Sequence, residues 1–169
     1  LLVRPWPAQV HDRGLMEEYP YAVAEAMTIE GCAPRSAPCC LDLRAEYPPS
    51  SARMAHALAT ARAAGYIGAD ILGSGVAFDI EIRRGAGAYV CGEETALFNS
   101  IEGKRGEPRN KPPFPVEVGL FGRPTAVNNI ETLVNIPEIV ADGGAAFAAL
   151  GTQGSRGPKL FCISGSVPR

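Results

Sequence analysis

No apolar run in these 169 residues approaches the roughly 20 needed to cross a bilayer, which excludes a membrane-spanning helix. Leu1 to Val10 is broken by Arg4, Trp6 and two prolines and does not read as a secretory signal. A cytoplasmic chain is therefore the expectation. Neither sign of charge is in excess: 16 Lys and Arg against 18 Asp and Glu give −2, no footprint for nucleic acid or an anionic membrane. Histidine is scarce, with His11 and His56 alone, so general-base machinery is not evident; His56, in an Ala-rich helical stretch, reads as solvated. The five cysteines (Cys32, Cys39, Cys40, Cys91, Cys162) form no CxxC pair, which removes the usual zinc and iron–sulfur spacing. An odd count without an export signal argues for reduced thiols. GxSxG and P-loop motifs are absent as well.

What is present is an α/β pattern. Glu17 to Glu30 reads as a helix with Ala22, Ala26 and Ile29 on one side, and Gly31 to Leu43 fits no regular pattern. Ser51 to Ala64 is Ala-rich with Met54 and Leu58 at helical spacing, and Gly65 stops it. Val76 to Arg83 alternates: Val76, Phe78, Ile80 and Ile82 face one way, Asp79, Glu81 and Arg83 the other, as in a half-buried strand. Gly85 to Gly92 is a glycine-rich loop, and Glu93 to Ile101 a helix behind it. Gly103 to Pro124 holds five of the fifteen prolines, too many for a helix or central strand. Asn128-Asn129 caps a further helix that Pro137 interrupts, Ala145 to Leu150 adds a short one, and Lys159 to Ser164 reads as a strand.

Strand, glycine-rich loop and helix is the arrangement that admits phosphorylated cofactors, because glycines let the backbone approach and a helix start offers free N–H groups. Here Gly85, Gly87 and Gly92 punctuate the loop, without the third glycine at the dinucleotide spacing. A plain structural turn accounts for them equally. Glu93 and Glu94 gain from the helix dipole, yet would repel a phosphate at that end. If a flavin nucleotide binds, they face ribityl or ribose hydroxyls or the nicotinamide amide. Tyr89 either stacks on a ligand or packs, Asn128 and Asn129 either cap or hydrogen-bond a flavin, and Thr132 adds a hydroxyl one turn on. Phe114, set in Lys111-Pro112-Pro113-Phe114-Pro115, is either a core anchor or a stacking platform for a base.

Arg83 to Gly106 (RRGAGAYVCGEETALFNSIEGKRG) and Glu107 to Leu133 (EPRNKPPFPVEVGLFGRPTAVNNIETL) resemble the NADH-oxidising, FMN-binding flavoprotein subunit of respiratory complex I. Diaphorase subunits of NAD-dependent formate dehydrogenases and hydrogenases share these motifs. Fainter similarity covers residues 12–28 and 53–75 and extends to Val167. The resemblance implies a Rossmann-like domain for FMN and NAD over residues 1–155, and over 156–169 the first strand of a small β-grasp-like module. It implies hydride transfer from NADH to FMN, with electrons leaving through iron–sulfur clusters toward quinone. By the same likeness Tyr89, Gly92, Glu93 and Glu94 lie beside FMN and nicotinamide. Asn128, Asn129 and Thr132 contact the flavin, and Phe114 stacks on adenine. The implied partners are NADH and the iron–sulfur subunits of a complex peripheral to the inner membrane.

Departures accompany the likeness. The family's upstream GRGGAGF-like loop and its Asn-Ala-Asp-Glu segment have no counterpart, and the 4Fe-4S ligands are missing. Residues 1–11 and 31–45 lose the pattern abruptly, as local frameshifts would cause. The isolated chain is thus expected to carry part of the flavin site and to be inactive alone. A diaphorase subunit, or a non-catalytic degenerate remnant, are the rival readings.

Overall fold

The structure is a computed structural model that describes residues 1–5, 10–33 and 39–166. Four strands, β1 (Leu2–Arg4), β2 (Cys39–Arg44), β3 (Ile80–Gly85) and β4 (Val127–Asn129), form one sheet in the order β3-β2-β1-β4. All three pairings are parallel; Val3 lies opposite Leu41 and Asn128, and Leu41 opposite Ile82. Parallel strands need crossovers, and helices provide them. Helices α1 (Val10–Glu18) and α2 (Pro20–Cys32) join β1 to β2, and α3 (Pro48–Ala63) leads towards β3. Helix α4 (Glu94–Ile101) and the proline-rich segment lie between β3 and β4; α5 (Ile130–Leu133), α6 (Ile136–Asp142) and α7 (Gly144–Ala149) follow.

Alternation along the central strands sends side chains into two cores. Val3, Leu41 and Leu43 pack with Met16, Val23, Met27, Met54, Leu58 and Ile130 on one face. Leu2 and Cys40 meet Leu97 and Phe98 of α4 on the other. Helices thus cover both faces, the doubly wound, Rossmann-like α/β arrangement that the sequence implied. Each such buried aliphatic contributes about 1.5–3 kcal/mol relative to exposure.

Several expectations change. Cys39–Arg44 is a buried central strand where no pattern was expected. A parallel strand covered on both faces needs no alternation, so a run such as CCLDL hides from a period-2 search. β3 does alternate, since it is an edge strand with Ile80 buried and Glu81 exposed. The helix expected over Glu17–Glu30 divides at Pro20, which opens α2 because it has no N–H to continue α1. Its buried side is Val23, Ala24, Ala26 and Met27 rather than Ala22 and Ile29. Pro48 and Pro49 likewise start α3 three residues before the expected Ser51. The break at Pro137 is present, with Pro in the first turn of α6. Lys159–Ser164 forms no strand: Leu160, Phe161 and Ile163 are exposed, and no neighbouring strand among the described residues pairs with them. No described helix is long and apolar enough to cross a membrane.

Candidate functional site

The carboxyl ends of the four strands fall at Arg4, Arg44, Gly85 and Asn129. Chain order reverses between β1 and β4, and in open parallel sheets ligands enter the crevice at such a switch point. A cleft of about 330 Å³ lies there, lined by Arg4, Gly92, Glu93, Glu94, Val127, Asn128 and Asn129. A narrower pocket of about 40 Å³ adjoins it, shares Arg4 and Gly92, and is walled by Asp42, Arg44, Gly85, Gly87 and Cys91.

Glu93 is the N-cap of α4. Its Oε2 accepts from the amides of Thr95 (2.8 Å) and Ala96 (2.9 Å), the donors a helix start would otherwise offer an anion. Burial pushes this carboxyl up, but the bonds from Thr95, Ala96 and Lys111 outweigh it and hold it below the usual carboxylate range. Lys111 spans both carboxylates, 3.1 Å from Glu93 Oε1 and 2.5 Å from Glu94 Oε1. Arg4, 8% exposed, donates to the Cys91 carbonyl at 3.3 Å. Burial lowers its pKa, while Asp42, Glu94 and Glu93 pull the other way. Asp42, equally buried, is pushed up by desolvation to about 6 against the pull of Arg4 and Arg44. On the far wall the Asn128 amide donates to Glu30 at the end of α2, and Asn129 Oδ1 caps α5 through the Ile130 amide at 2.8 Å.

Five of the ten residues singled out from sequence therefore meet in one cleft: Gly92, Glu93, Glu94, Asn128 and Asn129. Gly85 and Gly87 line the adjoining pocket. Tyr89 (79% exposed), Phe114 (53%) and the exposed Thr132 line neither; Phe114 is no core anchor. Arg4, Asp42, Lys111 and Glu30 were not expected. The first two had a signal, a charge set among apolar residues near a strand's carboxyl end; Lys111 and Glu30 had none, because only tertiary folding brings them to the cleft.

The sequence matches the family described as the Nuo51 FMN-binding domain over residues 6–138. The chain belongs to that family. Among Nuo51-related proteins, it is 49% identical to the NADP-reducing hydrogenase subunit HndC of Solidesulfovibrio fructosivorans, over 92% of this chain and 32% of that one. It is 45% identical to the mitochondrial NADH-ubiquinone oxidoreductase 51 kDa subunit of Neurospora crassa, over 95% of this chain and 33% of that one. A crystal structure of NAD+-reducing [NiFe]-hydrogenase in the air-oxidised state superposes with a TM-score of 0.80 at 40% identity, over 99% of this chain and 28% of that one. The chain thus spans about a third of the length of the curated relatives it matches.

The cleft residues suit part of an FMN molecule. Glu94 and the side chains of Asn128 and Asn129 provide acceptors and amide groups for hydroxyls and a polar ring edge. The start of α4 does not suit the phosphate, because Glu93 already occupies its amides.

Proposed function

We propose that this chain forms part of the nucleotide site of an NADH-oxidising flavoprotein subunit. The observation that carries the reading is the convergence of Gly92, Glu93, Glu94, Asn128 and Asn129 at the switch point of a parallel sheet in an FMN-binding family. When bound, FMN supplies the hydride-accepting chemistry, so the protein's part is binding and orientation. Gly92 lets the backbone approach the ligand. Glu94, oriented by Lys111, accepts hydrogen bonds from ribityl or ribose hydroxyls or from the nicotinamide amide. Asn128, fixed by Glu30, presents its carbonyl to the flavin, and Asn129 sets the backbone where β4 turns into α5. Tyr89, Thr132 and Phe114 are exposed and are proposed to contact parts of the nucleotides beyond this cleft, adenine for Phe114.

Iron–sulfur subunits are the proposed partners, with electrons passing toward quinone in a complex peripheral to the membrane. Residues 156–169 are proposed to open a small β-grasp-like module, for which exposed Leu160, Phe161 and Ile163 are the available apolar face. The similarity to HndC and to the hydrogenase structure favours a second reading, a diaphorase subunit working with a hydrogenase. The same nucleotide chemistry serves both. Residues 1–11 and 31–45 supply the sheet's two central strands, and the family match runs through residues 6–138, which supports a working binding domain over a degenerate remnant.

The test is made on the full-length protein carrying this sequence. Bound FMN and NADH-dependent ferricyanide reduction are measured for the parent, Glu94→Ala and Asn128→Ala. Both variants are expected to lose bound FMN or to raise the KM for NADH. Unchanged FMN content and kinetics in both would sink the reading.

A further inference from the structure

Away from the nucleotide cleft, the first turns of α1 and α5 bring three ligand-type side chains together. His11 Nε2 lies 3.1 Å from Glu131 Oε2 and 3.8 Å from Asp12 Oδ1. One ligand atom from each lies within 4.8 Å of the others, the sole such group among the described residues. Asp12 is fully buried, and His11 and Glu131 are 17% and 24% exposed at the side chain.

Three acceptor atoms that converge in a half-buried place repel one another unless a positive centre lies among them. A proton on Nε2 can supply that charge, and so can a divalent cation. Ligands about 2.0–2.2 Å from a tetrahedral zinc are roughly 3.4 Å apart, close to the 3.1 and 3.8 Å from His11 to its two neighbours. The outer contacts also suit a metal. Cys162 Sγ is 4.0 Å from His11 Nδ1; with the proton on Nδ1, the Nε2 lone pair faces the carboxylates. The Leu160 amide donates to Glu131 Oε1 at 3.1 Å, which turns Oε2 toward His11.

We propose that His11, Asp12 and Glu131 bind a zinc ion, completed by water, which pins α1 to α5. One imidazole with two carboxylates suits zinc better than magnesium or calcium, which take oxygen donors. Cys162 acts on the outside of the site and is not a ligand. This inference does not rest on the nucleotide reading.

The experiment uses the full-length protein, stripped of loosely bound metal and titrated with zinc chloride. The parent should take up one more zinc per chain than His11→Gln, and zinc should raise the melting temperature of the parent but not of His11→Gln. Glu131→Gln, on the opposite helix, should lose the same ion, which guards against one variant failing to fold. Cys162→Ser should keep the ion, weakened by about tenfold to a hundredfold. Equal zinc uptake in the parent and in both folded glutamine variants would leave the proton as the bridging centre and overturn the proposal. So would an equal melting shift with magnesium chloride, or complete loss of the ion in Cys162→Ser.

Discussion

The Lys111 ammonium stands 2.5 Å from the Glu94 carboxylate, although seventeen residues of chain separate them. Lys111 also reaches Glu93 at 3.1 Å, so one cation bridges the two carboxylates of the cleft wall and offsets one of their two negative charges. The three side chains are about one-third exposed, and pairs of that kind contribute only about 0–1 kcal/mol to stability. Their larger effect falls on the electrostatic field of the cleft. Lys111→Met should leave unfolding within about 1 kcal/mol of the parent. It should raise the KM for NADH, an anion, more than it lowers kcat. Steady-state kinetics beside urea unfolding check both halves; a parent-like KM would disprove the coupling.

Adjacent carboxylates separate into two roles. Glu93 caps α4 by accepting from Thr95 and Ala96, whereas Glu94 pairs with Lys111. Glu93→Ala should therefore destabilise the protein by about 0.5–2 kcal/mol. Glu94→Ala should cost less than about 0.5 kcal/mol and act on nucleotide binding instead. Denaturant midpoints for the pair decide the matter, and equal losses would contradict the division.

That division was half legible in the sequence. Two carboxylates at a helix start signal a cap or a site, and nothing local tells which residue serves which end. The structure resolves this through the extended backbone of Glu93, φ −79° and ψ 136°, which turns its carboxylate back onto the helix. Edge strand β3 was readable by alternation because only one of its faces is buried. Central β2 was not, since burial on both faces erases the period-2 signal. Arg4 and Asp42 each stand among apolar residues, a visible signal, but only the strand order brings the two together. The cleft's Asn128–Glu30 contact joins residues 98 apart, a separation no local pattern encodes.

Two sheltered carboxyls should give opposite pH dependences. Desolvation raises Asp42 from 3.8 to about 6 despite Arg4 and Arg44. The folded state thus favours its neutral form, and the stability it contributes is full below about 4 and lost as pH rises through about 6. Glu102 is also pushed up by burial, but Lys104, Arg109 and the Phe121 amide hold it down at about 2, from 4.5. Its contribution is present above 4.5 and lost as pH falls toward 2. A tenfold change in proton affinity corresponds to about 1.4 kcal/mol, so up to about 3 kcal/mol is at stake for each. Subtracting the unfolding free energy of Asp42→Asn from that of the parent should give a value that falls between pH 4 and 6. The same difference against Glu102→Gln should fall only below pH 4.5. A flat difference for either variant would remove that group from the account.

Gly87 tests whether the glycine-rich loop is built for its shape or merely tolerant. Its φ is +85°, and a Cβ built there overlaps the Glu46 carboxylate, which Arg44 holds through hydrogen bonds of 3.0 and 3.1 Å. Arg44 also donates to the Gly87 carbonyl at 2.7 Å, so the loop cannot easily shift away. Gly87→Ala therefore meets two separable penalties. The left-handed backbone costs about 1–2 kcal/mol for any L side chain. The overlap with Glu46 adds to it and ends if that side chain is shortened. Gly87→Ala should destabilise by roughly 2–4 kcal/mol, within the range of strained substitutions. Combined with Glu46→Ala, it should recover part of that loss and retain the backbone share. A double-mutant cycle by chemical denaturation measures the coupling; purely additive effects would mean that the overlap is relieved without strain and that φ alone demands glycine here.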